Sequence, residues 1–137
     1  MLSTEYGFKA LKIFENSFRS KKKSLCYLAL GRTLVELGNQ IKAKEFILKS
    51  IAYAKALSDS ILMAEGYREY SYLMAEQKLY DSALYYCDLA IPIFERNNYN
   101  LDISILYGRK SRVFFNLKNF DRSRYFAYKG IPIDSLY

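Results

Sequence analysis

The sequence predicts an all-α protein, a solenoid of antiparallel helix hairpins with a 40-residue period and about seven helices. Three observations predict it. Shifted by 40 residues, the chain matches itself: LYDSALYY (79–86) lies over NFDRSRYF (119–126), and AIPI (90–93) over GIPI (130–133). Within each copy the apolar residues recur at helical spacing. Tyr67, Tyr70, Ser71 and Met74 fall at i, i+3, i+4 and i+7, and Ala83, Cys87, Ala90, Ile91 and Phe94 line one face of the following helix. Small and large residues also alternate in phase. Gly31, Ser71 and Ser111 align, as do Ala43, Ala83 and Ser123, while Tyr27/Tyr67/Tyr107 and Leu34/Met74/Phe114 supply bulk opposite them. Small against large lets neighbouring helices approach closely and still fill the space between them.

Taken in order, 4–19 reads as the second helix of a cut repeat. KALKIFENS (9–17) lies over the segment near 88–96, displaced by one residue at its edges, with Ile13-Phe14 on Ile93-Phe94. Tyr6, Ala10, Leu11, Ile13, Phe14 and Phe18 make its apolar side. Ser20 to Lys23 is expected as a basic, solvated loop. Three hairpins follow, at 24–57, 64–97 and 101–137. Gly38-Asn39 is the first turn, Ser58 or Asp59 caps the next helix, and Asp81 suits the positive end of its helix. Pro92 and Pro132 share one phase of the repeat. Pro92 removes a hydrogen bond from the Asp88 carbonyl, and a kinked but continuous helix is expected around it. A chain that starts on a lone second helix reads as part of a longer solenoid.

These residues resemble the tetratricopeptide repeat (TPR). Tyr27-x2-Leu30-Gly31-x2-Leu34 is similar to the first-helix pattern of that family, repeated as Tyr67-x2-Tyr70-Ser71-x2-Met74 and Tyr107-x2-Lys110-Ser111-x2-Phe114. Ala43-x3-Ile47-x2-Ser50, Ala83-x3-Cys87-x2-Ala90 and Ser123-x3-Ala127-x2-Gly130 are similar to the second-helix pattern. The period of 40 rather than 34 resembles the long-helix variants of bacterial sensor and regulator proteins. The resemblance implies a right-handed solenoid whose first helices line a concave, protein- or peptide-binding side. On this chain that side should carry Leu28, Arg32, Val35 and Glu36, then Glu65, Arg68, Glu69, Tyr72 and Glu76, then Arg109, Arg112, Phe115 and Asn116. Arginines beside Tyr72 and Phe115 suit an extended segment with acidic and apolar side chains, because guanidinium pairs carboxylate bidentately. Alternatively, Arg32 and Arg109 bridge Glu69 across adjacent helices and bind nothing. The basic clamp that some members use for a C-terminal carboxylate is not reproduced.

Composition narrows the functions. The 137 residues include no His, which removes Ser-His and Cys-His nucleophilic arrangements. No phosphate-loop, dinucleotide, nucleophile-elbow or HExxH string occurs. Glu65, Glu69 and Glu76 share one helix face, which does not oppose carboxylates across a cleft. The expectation is a protein without catalytic, cofactor or metal sites. Cys26 and Cys87 fall in different hairpins and form no zinc pattern. Net charge is +7, divided as +7 over 1–57, −4 over 58–100 and +4 over 101–137. Basic end blocks around an acidic middle lack the continuous stripe of a nucleic-acid solenoid, and the 14 Tyr recur in phase with the core. The partner expected is therefore a protein or peptide. Self-association through exposed solenoid ends, into a homo-oligomer, is the second reading, and nucleic-acid binding the third.

Overall fold

The computed structural model describes residues 2–131. It contains six helices: α1 (Leu2–Glu36), α2 (Gln40–Ala56), α3 (Ser60–Glu76), α4 (Tyr80–Arg96), α5 (Asn100–Asn116) and α6 (Phe120–Lys129). No helix among the described residues is long and apolar enough to cross a membrane.

The turns set the architecture. Gly38, Ser58, Lys78, Asn98 and Lys118, twenty residues apart, all have positive φ, from 54° to 83°. Each ends a helix in the left-handed conformation with the same pair of hydrogen bonds. The Asn39 amide donates to the Leu34 carbonyl (2.9 Å) and the Gly38 amide to that of Val35 (3.1 Å). The pattern repeats at Asp59/Ala54, Leu79/Met74, Tyr99/Phe94 and Asn119/Phe114. The next residue is already the cap of the following helix. Asn39, Asp59 and Asn119 accept from the amides of Lys42, Leu62 and Arg122 through their side chains. Of the two cap candidates at 58–59 it is Asp59 that caps, while Ser58 supplies the positive φ. Three-residue reversals leave helices α2 to α5 at 17 residues each.

One expected turn is missing. Residues 20–23 are helical, and the segment expected at 4–19 is continuous with the first helix at 24–37 as α1, 35 residues long. The described residues therefore form six helices, close to the about seven expected, with the first two expected helices joined. Twenty residues before Gly38 stands Phe18, a bulky residue poorly suited to positive φ, and Lys21, Lys22 and Lys23 are good helix formers. The apolar side assigned to Tyr6 through Phe18 lies outside the described side chains, as does Pro132 outside the described residues. Pro92 lies inside a continuous α4, as expected, on its exposed face.

Two small-residue crossings recur in each hairpin. Near the turn, Ser111 and Ser123 exchange hydroxyl-to-carbonyl bonds of 2.7 and 2.9 Å. Towards the open end, Ser24 and Ser50 do the same at 3.0 and 2.8 Å. The in-phase residues of the middle hairpin, Ala64 and Ala90, are fully buried. Ser104 donates to the Gly130 carbonyl in the last hairpin. An aromatic pair also spans every hairpin: Tyr27–Phe46, Tyr67–Tyr86 and Tyr107–Phe126, with ring centroids 5.6, 5.9 and 6.1 Å apart. Between hairpins, α2 and α4 pack on α3 and α5 through Ile51, Tyr70 and Leu73 and through Cys87, Ile91 and Leu106. Cys87 is buried, Cys26 is exposed, and both are free thiols.

Among the described residues α1 touches α3 and α3 touches α5, whereas α2 does not approach α4, nor α4 α6. The odd helices therefore form the inner row of a curved stack and the even helices the outer row.

Two glycines inside helices test this packing with opposite signs. A Cβ on Gly31 would stand 2.5 Å from Cγ1 of Ile47, whereas a Cβ on Gly108 meets nothing within 4 Å. Gly31→Ala should destabilise by about 1–2 kcal/mol net of its helix-propensity gain. Gly108→Ala should stabilise by about 0.5–1 kcal/mol. Urea unfolding of both variants checks the pair, and equal stabilities would contradict the close α1–α2 approach.

Candidate ligand groove

The inner row carries a chain of charges. The Glu69 carboxylate is buried, at 3% exposure, and its Oε1 accepts from Arg32 Nη2 (2.7 Å), Arg32 Nε (3.2 Å) and Arg68 Nε (3.2 Å). Arg68 extends through its Nη1 to Asp102. The order Arg32, Glu69, Arg68, Asp102 alternates in sign and links α1, α3 and α5. The Glu69 hydrogen bond holds Arg32 above the ordinary arginine range.

Arg109 differs. Its guanidinium donates to the Arg68 carbonyl (2.8 Å) and the Ser71 hydroxyl (3.2 Å), and lies 5.0 Å from the centre of the Tyr72 ring. Among the described residues no carboxylate is within ion-pair distance of it, and burial lowers its pKa from the ordinary value. It forms one wall of a cavity of about 380 Å³ between the C-terminal halves of α3 and α5. Tyr72, Glu76, Ile105, Gly108, Arg112 and Asn116 supply most of the rest, with Lys78 at the turn. Arg112 is exposed and forms no ion pair among the described residues.

The expected concave residues thus divide. Tyr72, Glu76, Arg109, Arg112 and Asn116 meet in one groove. Arg32, Arg68 and Glu69 are used internally; of the two bridges to Glu69 expected from Arg32 and Arg109, the first forms and Arg68 takes the place of the second. Leu28 and Val35 are core residues at 8% and 6% exposure, because α1 turns these positions towards its neighbours rather than to solvent. Glu36 is exposed beyond Arg32. Phe115 lies outside the groove, edge-on to Phe120 at the last turn (5.4 Å). Gly108 and Asp102 were not singled out in the sequence. The repeat itself points to Gly108: its in-phase residues are Leu28 and Arg68, so the glycine is a missing side chain on the inner row. Asp102 has no such signal, since Lys22 and Leu62 share its phase.

This arrangement of hairpins is a TPR-type α-solenoid. It is similar to the crystal structure of the TPR domain of Arabidopsis FLU, with a TM-score of 0.74 and 20% identity over 82% of this chain and 94% of that one. At that identity the likeness is one of fold. No protein-family model matches the sequence, and no curated protein matches it.

Glu65, on the inner row beside Arg68 and Asp102, gives the groove's neighbourhood a pH signature. Burial, foremost, raises its pKa, and the charges of Asp102 and Asp59 add to the rise while Arg68 and Lys21 oppose it. The folded state therefore holds this proton more tightly than the unfolded state. Stability falls as pH rises from the unfolded value of 4.5 through the folded one. Glu65→Gln should raise the melting temperature at pH 7 and lose that gain below about pH 4. Melting curves across pH check it, and an equal gain at both ends would assign the effect to packing.

Proposed function

We propose that the chain is a non-catalytic protein-binding scaffold that seats a segment of a partner protein in the inner groove between α3 and α5. The observation that carries this reading is the groove itself. It is open, of ligand-pocket size, walled by Tyr72, Ile105 and Asn116, and it retains two arginines that the internal charge chain does not use. The likeness of fold to a TPR domain supports the same reading. The 40-residue spacing, which resembles that of bacterial sensor and regulator proteins, favours a role as the interaction part of a larger regulator.

A second reading rests on α6. Tyr125, Tyr128 and Ile131 are 58%, 74% and 41% exposed at the end of the stack. Apolar and aromatic side chains exposed together on the last described helix and just beyond it favour self-association.

Affinity capture from source-cell lysate separates the two. The reference protein should retain a partner that a Tyr72→Ala/Arg112→Glu variant, equally helical by circular dichroism, fails to retain. Retention unchanged by the groove variant but lost with Tyr128→Glu, together with a dimer of the reference protein in light scattering, would move the site to the end of the stack.

A further inference from the structure

The four arginines of the inner row are not equivalent, and the inequality identifies what the groove accepts. Arg32 and Arg68 each face a carboxylate of this chain, Glu69 or Asp102. Neither Arg109 nor Arg112 forms an ion pair among the described residues, and both border the same cavity. With Lys78 they set three cations against one carboxylate, Glu76, on the cavity wall. Arg109 uses only Nη1 on the Arg68 carbonyl and the Ser71 hydroxyl, and among the described residues no carboxylate pairs with its guanidinium. The Tyr72 ring lies 5.0 Å from the Arg109 guanidinium carbon, within cation–π range, and borders the same cavity.

The backbone makes room at the same point. In α1 and α3 the phase of Gly108 is occupied by Leu28, buried in the core, and by Arg68, reaching Asp102. In α5 the position is an exposed glycine in the middle of the helix, with open space where its Cβ would be. A mid-helix glycine costs stability of about 0.5–1 kcal/mol, and here no close neighbour demands it.

We propose that Arg109 and Arg112 form a seat for one internal Asp or Glu side chain of the partner segment, with Gly108 leaving space for that segment's backbone beside α5. This specifies the occupant of the scaffold groove and rests on that reading. Ile105 and Tyr72 border the same cavity and suit an apolar residue next to the acid. An extended segment would so present one carboxylate and one apolar group to a single helix pair.

The probe is an array of random heptapeptides, acetylated and amidated so that neither terminus carries charge. Bound peptides are expected to share an Asp or Glu at a fixed position, and its replacement by Asn or Gln should weaken binding at least about tenfold, the scale of a charge-assisted hydrogen bond. Arg112→Gln, at an exposed position, and Gly108→Leu, which fills the vacancy, should each lose the same peptides. Arg122→Gln on the outer row should retain them. Because neither groove variant removes a buried contact, loss of binding will not be loss of fold. Bound peptides with no shared acid that are still displaced by Gly108→Leu would overturn the acidic seat and leave the scaffold groove standing. Binding only by peptides with a free C-terminal carboxylate would overturn the internal-acid assignment. Absence of any groove-dependent peptide would overturn both seat and groove.

Discussion

A buried carboxylate holds the inner row together. Glu69 is withdrawn from water in the middle of α3, where an isolated charge would be costly, and it persists because guanidinium groups approach it from α1 and from its own helix. Arg68 then passes the contact on to Asp102 of α5. The three helices belong to three different hairpins, and backbone hydrogen bonds stay within hairpins and their turns. Across the inner row the stack therefore depends on side chains. The alternating charge chain gives that row a directional tie which the apolar packing between successive helices does not supply. It also decides what remains for a ligand. Two arginines are neutralised within the fold, and the next two along the row keep their charge.

The outer framework is set by repetition. A left-handed residue every twenty positions makes α2 to α5 equal in length. Equal lengths bring the same two small-residue crossings and the same aromatic pair into register in each hairpin. On such a background a single departure from phase becomes a structural event. Where Leu28 and Arg68 fill the inner row, Gly108 does not, and the groove opens there. Where Ser58 or Lys78 ends a helix, Phe18 does not, and α1 runs on through the basic segment for about 50 Å at 1.5 Å per residue.

Much of this was legible in the sequence, because periodicity reports on backbone and core. The hairpins, the crossings at Gly31/Ala43 and Ser111/Ser123, the burial of Cys87 and the continuity of α4 through Pro92 follow from spacing and residue size. The charged face was legible only as a set of residue types. Spacing places Arg32, Arg68, Arg109 and Arg112 on one side of the stack, but which of them is neutralised depends on distances across helices 34 to 37 residues apart in sequence. Asp102, whose position has no counterpart in the other repeats, carries half of that decision. Phe18 shows the complementary limit: a run of lysines reads as a loop by charge, and only its lack of a residue suited to positive φ argues for helix.

The most direct test of the unequal arginines is an NMR spectrum of the side-chain Nε–Hε groups, with water-exchange rates measured before and after addition of acetate. Slow exchange is predicted for Arg32 and Arg68, whose Nε groups bond Glu69, and fast exchange for Arg112. Acetate should shift the resonances of Arg109 and Arg112 and leave those of Arg32 and Arg68 in place. Uniform exchange across the four, or acetate shifts centred on Arg32 and Arg68, would contradict the division of charge on which this account of the groove rests.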